Sequence, residues 1–469
     1  MNADAYTADL AFLSIAELGA HLSSGAITAR RLTELYLQRI DTHKKLNAYI
    51  TVLADSALAA ADASDKRRKE GHARGPLDGI PIALKDNIDV AGVATTAGVE
   101  ARRKIAAEHD APVTARLKYA GAIILGKLNM HEAAHGATTA NEAYGFCYNP
   151  HRAGFTPGGS SGGSGAAIAA GLCVAALGTD TLGSIRIPAS FNGIAGLKPT
   201  QGLVSTRGVV PLAFSLDHVG PMARHVNDLA LMLEVIAGPD AADPFSMMAV
   251  RAPQATFQVP STLKGLRIGR LRDLDEFAAD RTHADVALGY EAALAQLAHL
   301  GADIVDVTLD GYKHNAIRPK AMLVIEADLA VVYAKALEEQ PLGHTQLFRD
   351  GIAFGQQQSA PKLAQAFETI RSVKPIANKL FAAVDAFVTP TTPCPAFDFK
   401  TAMPKTLTAF TAFANYIGAP SVSVPMGLTQ DKLPMGLQIT TAAGHDATAL
   451  KIAGAYETAA NCRAKPAGY

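Results

Sequence analysis

Gly158-Gly159-Ser160-Ser161-Gly162-Gly163-Ser164-Gly165 runs without a break into Ala166-Ala167-Ile168-Ala169-Ala170. A glycine–serine block of this kind is usually a flexible linker. A linker, however, gives way to a polar domain edge, and here the next residues are small and apolar, fit for a buried helix packed closely on its neighbours. The next polar island is Gly178-Thr179-Asp180-Thr181-Leu182-Gly183-Ser184-Ile185-Arg186. There Gly183 lets backbone N–H groups converge beside a serine, as an oxyanion site requires. The two islands therefore read as rigid turns that present serines for chemistry, because an activated serine needs such a turn.

The rest of the chain suits a large folded enzyme. Its 469 residues are 49% hydrophobic and 18% charged, which excludes disorder and allows a large core. Lys and Arg total 43 against 43 Asp and Glu, so no basic excess points to nucleic acid or an anionic membrane. The four cysteines, Cys147, Cys173, Cys394 and Cys462, are too scattered for a disulfide framework or a CxxC metal site. Met1-Asn2-Ala3-Asp4 begins no secretory signal, and the apolar run Ala166 to Leu177 is shorter than a membrane span. The expectation is a cytoplasmic protein.

Short apolar runs closed by polar turns alternate with helical periodicities. Ile80 to Lys85, Ala122 to Leu125, Val174 to Leu177, Arg267 to Leu271, Asp303 to Val307 and Asp385 to Val388 read as strands. Helices are expected from the capping box at Ser14–Glu17, through Leu32–Ile40, over Asp55 to about Arg68, and at Pro112–Tyr119. Further helices are expected at Val226–Ile236, Ala284–Leu300, Lys320–Leu337 and Ala447–Ala459. This alternation predicts an α/β layered domain with a largely buried sheet. Residues 1–70 form a helical segment packed on a domain of residues 71–469, the whole chain being one domain. The weakly patterned stretch Gly238 to Pro260 is the best internal boundary.

A serine needs a base. Lys85 ends an apolar run, where burial would lower its pKa enough to make it one. Lys198, in Gly196-Leu197-Lys198-Pro199-Thr200, is a rival. His131-Glu132-Ala133-Ala134-His135 spells the HExxH zinc pattern, but Asn141 stands where a third histidine ligand would be. The segment reads instead as a helix start. Gly158-Gly159-Ser160-Ser161-Gly162 fits the GxSxG elbow of α/β-hydrolases, with Asp385 and His445 to complete an esterase triad, yet Arg152 to Pro157 make a poor preceding strand. Ser261-Thr262-Leu263-Lys264 spells SxxK without its partner motifs and carries nothing.

Taken together, the chain resembles the amidase signature family. The resemblance runs through Gly79–Asn87, Gly158–Ser164, Gly178–Ser184, Gly196–Thr200, Ser215–Met222 and Leu433–Gln438. It implies an α/β/α sandwich around a large mixed sheet. It also implies that Ser184 is the nucleophile, Ser160 a bridging serine after a cis Gly159–Ser160 bond, and Lys85 the base. The backbone N–H groups of Thr181, Leu182, Gly183 and Ser184 would form the oxyanion hole, buttressed by Ser161, Asp180 and Arg186. Asn129-Met130-His131-Glu132 matches the segment beside the acyl site, so Met130, Ala133 and Gly159 are expected to touch substrate, and the zinc reading weakens.

Two positions depart from the family pattern. Ala133 stands where relatives often carry a bulky aromatic residue, and Leu182 where they carry a small one. Together they would make room for a large or aromatic group against an apolar wall. The reaction implied is hydrolysis of small-molecule amides by water, extending to carbamates (urethanes), anilides, hydrazides or aryl esters, with no cofactor, metal, nucleic acid or membrane. The helices of residues 10–70 offer a homodimer surface by the same analogy. The alternative within the family is a glutamyl-tRNA amidotransferase A-type subunit. Against it stand the neutral charge and Ile187, where that branch typically shows Gln after the arginine.

Overall fold

One mixed sheet of eleven strands organises the chain in this computed structural model, which describes residues 10–246 and 258–469. The strands are β1 (Tyr49–Val52), β2 (Pro81–Lys85), β3 (Ile123–Leu128), β4 (Ala175–Asp180), β5 (Ala195–Lys198) and β6 (His218–Ala223), then β7 (Arg267–Leu271), β8 (Asp303–Val307), β9 (Ala386–Pro390), β10 (Ser421–Leu428) and β11 (Pro434–Thr440). Their spatial order is β1-β3-β2-β4-β6-β5-β10-β11-β9-β7-β8. β2 lies parallel to both β3 and β4, and β7 parallel to both β8 and β9; the remaining pairs are antiparallel. Every residue of β2, β3, β4, β5, β6 and β9 is buried, as the continuous apolar runs require of a sheet covered on both faces.

The parallel pairing of β2 with β4 positions the chemistry. Leu84 pairs with Leu177, so Lys85 at the end of β2 arrives beside Gly178 and Thr179 near the end of β4. The glycine–serine block forms no linker. It leads into the fully buried helix Gly162–Ala169, held on β4 by the Ser164 hydroxyl donating to the Leu177 carbonyl at 3.2 Å. At Gly163 a Cβ would collide with the Asn129 carbonyl oxygen, so only glycine permits this approach of helix to chain.

The capping box at Ser14 is formed, and the helices Ile15–Ser24, Ala29–Thr42 and Ala54–Lys69 follow. Their apolar faces share one buried cluster with β2, β3 and β4, and Arg39 donates to the Gly171 and Ala170 carbonyls at 2.8 and 2.9 Å. Lys320–Leu337 proves to belong to two helices, His314–Val332 and Ala334–Glu339, parted at Tyr333. Residues 247–257 of the expected internal boundary, and Met1–Asp4, lie outside the described residues. Among the described residues no helix is long and apolar enough to cross a membrane.

Candidate active site

Lys85 is fully buried, and its Nζ donates to Ser160 Oγ and to Thr179 Oγ1, both at 2.7 Å. Asn87 Nδ2 donates to the same Thr179 hydroxyl at 3.1 Å, which fixes that acceptor. Burial pushes the Lys85 ammonium down to about 7, against the opposing charges of Asp217 and Asp180. Ser160 follows a cis peptide bond from Gly159, and its carbonyl accepts the His131 N–H at 3.1 Å.

The second island sits directly against the first. Ser161 N–H donates to the Ser184 carbonyl at 3.2 Å, and the Ser161 hydroxyl donates to the Thr179 carbonyl at 3.1 Å. Ser184 is 9% exposed, and its hydroxyl makes no hydrogen bond among the described residues. The loop around it is built on Asp180. One carboxylate oxygen accepts the Gly183 N–H at 2.8 Å and the other the Ile185 N–H at 3.2 Å. Arg186 Nε and one terminal nitrogen clasp both oxygens at 2.9 Å. Arg186 also donates to the Thr411 carbonyl and Gln438 Oε1 at 2.8 Å and to Asn415 Oδ1 at 2.6 Å. Burial alone would raise the Asp180 carboxyl, but the Arg186 charge and these hydrogen bonds hold it well below the usual carboxylate range.

Of the four expected oxyanion donors, Gly183 is therefore already engaged by Asp180. The N–H groups of Thr181, Leu182 and Ser184 have no acceptor among the described residues. The left-handed backbone of this loop falls on Gly183 (φ 133°), not on Leu182, so the bulk of Leu182 carries no conformational cost. Leu182 and Ala133 belong to one buried apolar cluster with Met130, Leu212 and Leu216. Gly159 packs against the backbone of residues 137 to 139, where a Cβ would lie 2.7 Å from the Ala137 carbonyl carbon. Its missing side chain thus serves loop packing.

The competing motifs are not assembled. His131 to His135 form no long helix: a single 3₁₀ turn spans Glu132–Ala134, with Ala133 and Ala134 at φ 50° and 59°. The histidines consequently do not share a helical face, and the Glu132 carboxylate accepts the Thr345 N–H at 3.1 Å and the Thr345 hydroxyl. Burial pushes His131 down to about 3. Among the described residues no group of three His, Cys, Asp or Glu could hold a metal ion. The elbow fails because residues 156 to 161 contain no strand, Asp385 Oδ2 is taken by the Arg267 N–H at 2.7 Å, and His445 is exposed at the start of the last helix. Lys198 is buried and pushed down to about 7, yet among the described residues its Nζ donates only to the Pro199 carbonyl, at 3.0 Å.

The family profile described as Amidase matches residues 31–450. The chain belongs to the amidase family. This amidase is similar to the A-type subunit of glutamyl-tRNA(Gln) amidotransferase from Koribacter versatilis, 37% identical over 92% of this chain and 95% of that protein. Among solved structures it resembles the native peptide amidase of Stenotrophomonas maltophilia, with TM-score 0.86, 33% identity and coverage of 97% and 98%. It also resembles a protein from a vestigial complex that reveals the origins of an s-triazine catabolic enzyme, with TM-score 0.89, 33% identity and coverage of 97% and 100%. Relatives of the amidotransferase branch match nearly the whole chain, at 36 to 37% identity.

Several residues that shape the amidase site escape a reading of the sequence. Thr179, Asn415, Gln438 and Thr411 are ordinary polar residues, met here only because folding brings them to Lys85, Asp180 and Arg186. Asp217 is the most consequential. Its Oδ1 accepts the Thr181 hydroxyl at 2.5 Å, and its Oδ2 accepts the Leu212 and Ala213 N–H groups at 2.8 and 3.1 Å. Burial raises it to about 6 against these bonds. Asp217 and Phe214 line a cavity of about 260 Å³ together with Thr206, Gly208 and Pro211. The signal available was its place in the family-like piece Ser215–Met222.

Proposed function

We propose that this amidase hydrolyses an amide C–N bond through an acyl-enzyme on Ser184, with Ser160 and Lys85 as the proton relay. The observation that carries the reading is the 2.7 Å hydrogen bond from a fully buried Lys85 to Ser160, with the lysine poised near neutrality. Neutral Lys85 takes the Ser160 proton as Ser160 takes that of Ser184. Ser184 Oγ attacks the carbonyl carbon, and the oxyanion forms beside the unengaged N–H groups of Thr181, Leu182 and Ser184. The proton returns through Ser160 to the leaving nitrogen, the C–N bond breaks, and water cleaves the acyl-enzyme by the same relay. Carbamates, anilides, hydrazides and aryl esters present the same carbonyl. The apolar wall of Met130, Ala133 and Leu182 favours bulky groups there.

The test is a panel of p-nitroanilides of increasing acyl size, with simple amides and carbamates, assayed on wild type and Ser184→Ala. Turnover by the purified wild type is expected on bulky members, with a fall of at least about 10⁴-fold in Ser184→Ala. Undiminished turnover by that variant, or activity declining steadily with acyl size, goes against the nucleophile or the bulky-substrate reading respectively.

A second reading has the sequence relatives on its side: an A-type amidotransferase subunit, whose released nitrogen passes to an acceptor rather than to solvent. Both use the same Ser184 chemistry. The second predicts that the isolated chain is inert on the panel and turns over glutamine only once joined to partner subunits.

A further inference from the structure

Among the described residues, several buried polar side chains on and around the helix His314–Val332 have no hydrogen-bond partner. Arg318 lies in the second turn of the helix His314–Val332, and among the described residues its guanidinium makes neither an ion pair nor a hydrogen bond, its enclosed Nε included. One turn earlier on the same face, His314 is 1% exposed with both ring nitrogens unpartnered. The hydroxyls of Tyr312 and Tyr416 and Nε2 of His135 are buried and likewise have no partner among the described residues. Native interiors satisfy nearly all such atoms, so each exception calls for a partner such as a bound polar group or an ordered water.

The cluster adjoins the chemistry. Tyr416 closes the helix Ala412–Tyr416, whose Asn415 holds Asp180 and whose preceding Thr411 donates to the Leu182 carbonyl at 2.6 Å. His135 follows Ala133 by two residues, and Ile317, beside Arg318, shares an apolar cluster with Ala133 and Leu182. Glu326, further along the same helix, meets His135 over Gly351: a Cβ there would lie 3.2 Å from the His135 ring and 3.8 Å from Glu326 Oε1. The Arg318 charge acts on Tyr416, His135, His314 and Glu326. Burial pushes both histidines down to about 4 and Glu326 up to about 7.

We propose that this cluster is a subsite for a carboxylate carried by the substrate, anchored by Arg318 with hydrogen bonds from Tyr416 and His135, so that the amidase prefers amides of acids bearing a second, ionised carboxyl group. A guanidinium presents a planar fork that matches a carboxylate, and the neutral aromatic donors around it complete the set. The proposal rests on the Ser184 reading for its chemistry but not for its binding.

The experiment compares succinyl-p-nitroanilide with pentanoyl-p-nitroanilide on wild type, Arg318→Gln and Arg318→Lys, with unfolding midpoints measured alongside. The ratio of kcat/KM for the succinyl over the pentanoyl substrate is expected to be about 10 or more in wild type, to drop about 30-fold in Arg318→Gln, and to drop less in Arg318→Lys. The same Arg318 dependence with γ-glutamyl-p-nitroanilide also supports the subsite and assigns the carboxylate to an amino acid. A second arm needs neither turnover nor an Arg318 variant: calorimetry on Ser184→Ala is expected to show succinamate binding at least tenfold tighter than valeramide. If no anilide is turned over while succinamate retains that preference, the hydrolase reading fails and the subsite stands. Normal turnover with a ratio that ignores Arg318, together with equal binding of the two amides, overturns the subsite alone.

Discussion

Replacing Lys85 by alanine is expected to lower kcat/KM by about 10³- to 10⁴-fold, the range a positioned general base contributes, and to abolish the acid limb of the pH profile. In the wild type that limb should have its midpoint near the depressed lysine pKa of about 7, because only neutral Lys85 can take a proton from Ser160. The sign follows from the causes. Burial disfavours the ammonium and lowers the midpoint, while the carboxylates of Asp217 and Asp180 favour it and raise the midpoint. Activity therefore rises as pH passes upward through about 7. Asp217→Asn keeps an acceptor for the Thr181 hydroxyl but removes a negative charge, so it should move the limb to lower pH. Lys85→Arg should rescue nothing, since a guanidinium does not deprotonate in proteins. A profile of kcat/KM against pH for wild type, Asp217→Asn and both Lys85 variants reads all of this. An acid limb that persists in Lys85→Ala would remove the lysine from the relay.

Arg186→Met is expected to destabilise the protein by about 3–5 kcal/mol, the usual effect of removing one partner of a buried ion pair. Both side chains are fully buried, and the loss would strand Asp180 together with the Asn415 and Gln438 amides that now converge on this centre. Urea denaturation measures it. Activity should fall further than stability explains, because Asp180 holds the Gly183 and Ile185 N–H groups on either side of Ser184. The double variant Asp180→Asn/Arg186→Gln removes both charges and should recover part of the stability but little of the rate. Because the folded Asp180 carboxyl is held low, its share of stability is present above the unfolded value of about 4 and fades only as pH falls far below it. A destabilisation under about 1 kcal/mol for Arg186→Met would show the pair to be near neutral to folding.

How far the sequence could be read depended on whether the signal was local. The strand ending at Lys85 and the start of the strand Ala175–Asp180 are apolar runs followed by polar residues, and such runs announce themselves. The glycines between Gly158 and Gly183 marked both serine turns for the same reason. Ala133 and Ala134 misled. Alanine is the best helix former, so the segment suggested a helix start, whereas packing forces both residues to positive φ in a tight turn. Strands β6, β10 and β11 went unread because they hold glycine and proline amid the apolar residues, as in Gly220-Pro221 and Pro425-Met426-Gly427, and β5 because its four residues include Gly196. Asp217, Asn415 and Gln438 lie far in sequence from the residues they support, and only the pairing of β4 with β6, and the packing of the chain's last third, bring them in.

The reach of Arg186 has a consequence for how the protein comes into being. It binds Thr411 and Gln438, respectively 225 and 252 positions downstream. A growing polypeptide emerges from the ribosome with Ser184 long before those residues exist, and domains complete themselves only as their distant pieces arrive. Until Gln438 has been synthesised and β11 is in place, the clasp around Asp180 lacks its outer members and the loop cannot settle. A chain cut short before residue 438 would carry Lys85, Ser160 and Ser184 without the Gln438 member of that clasp.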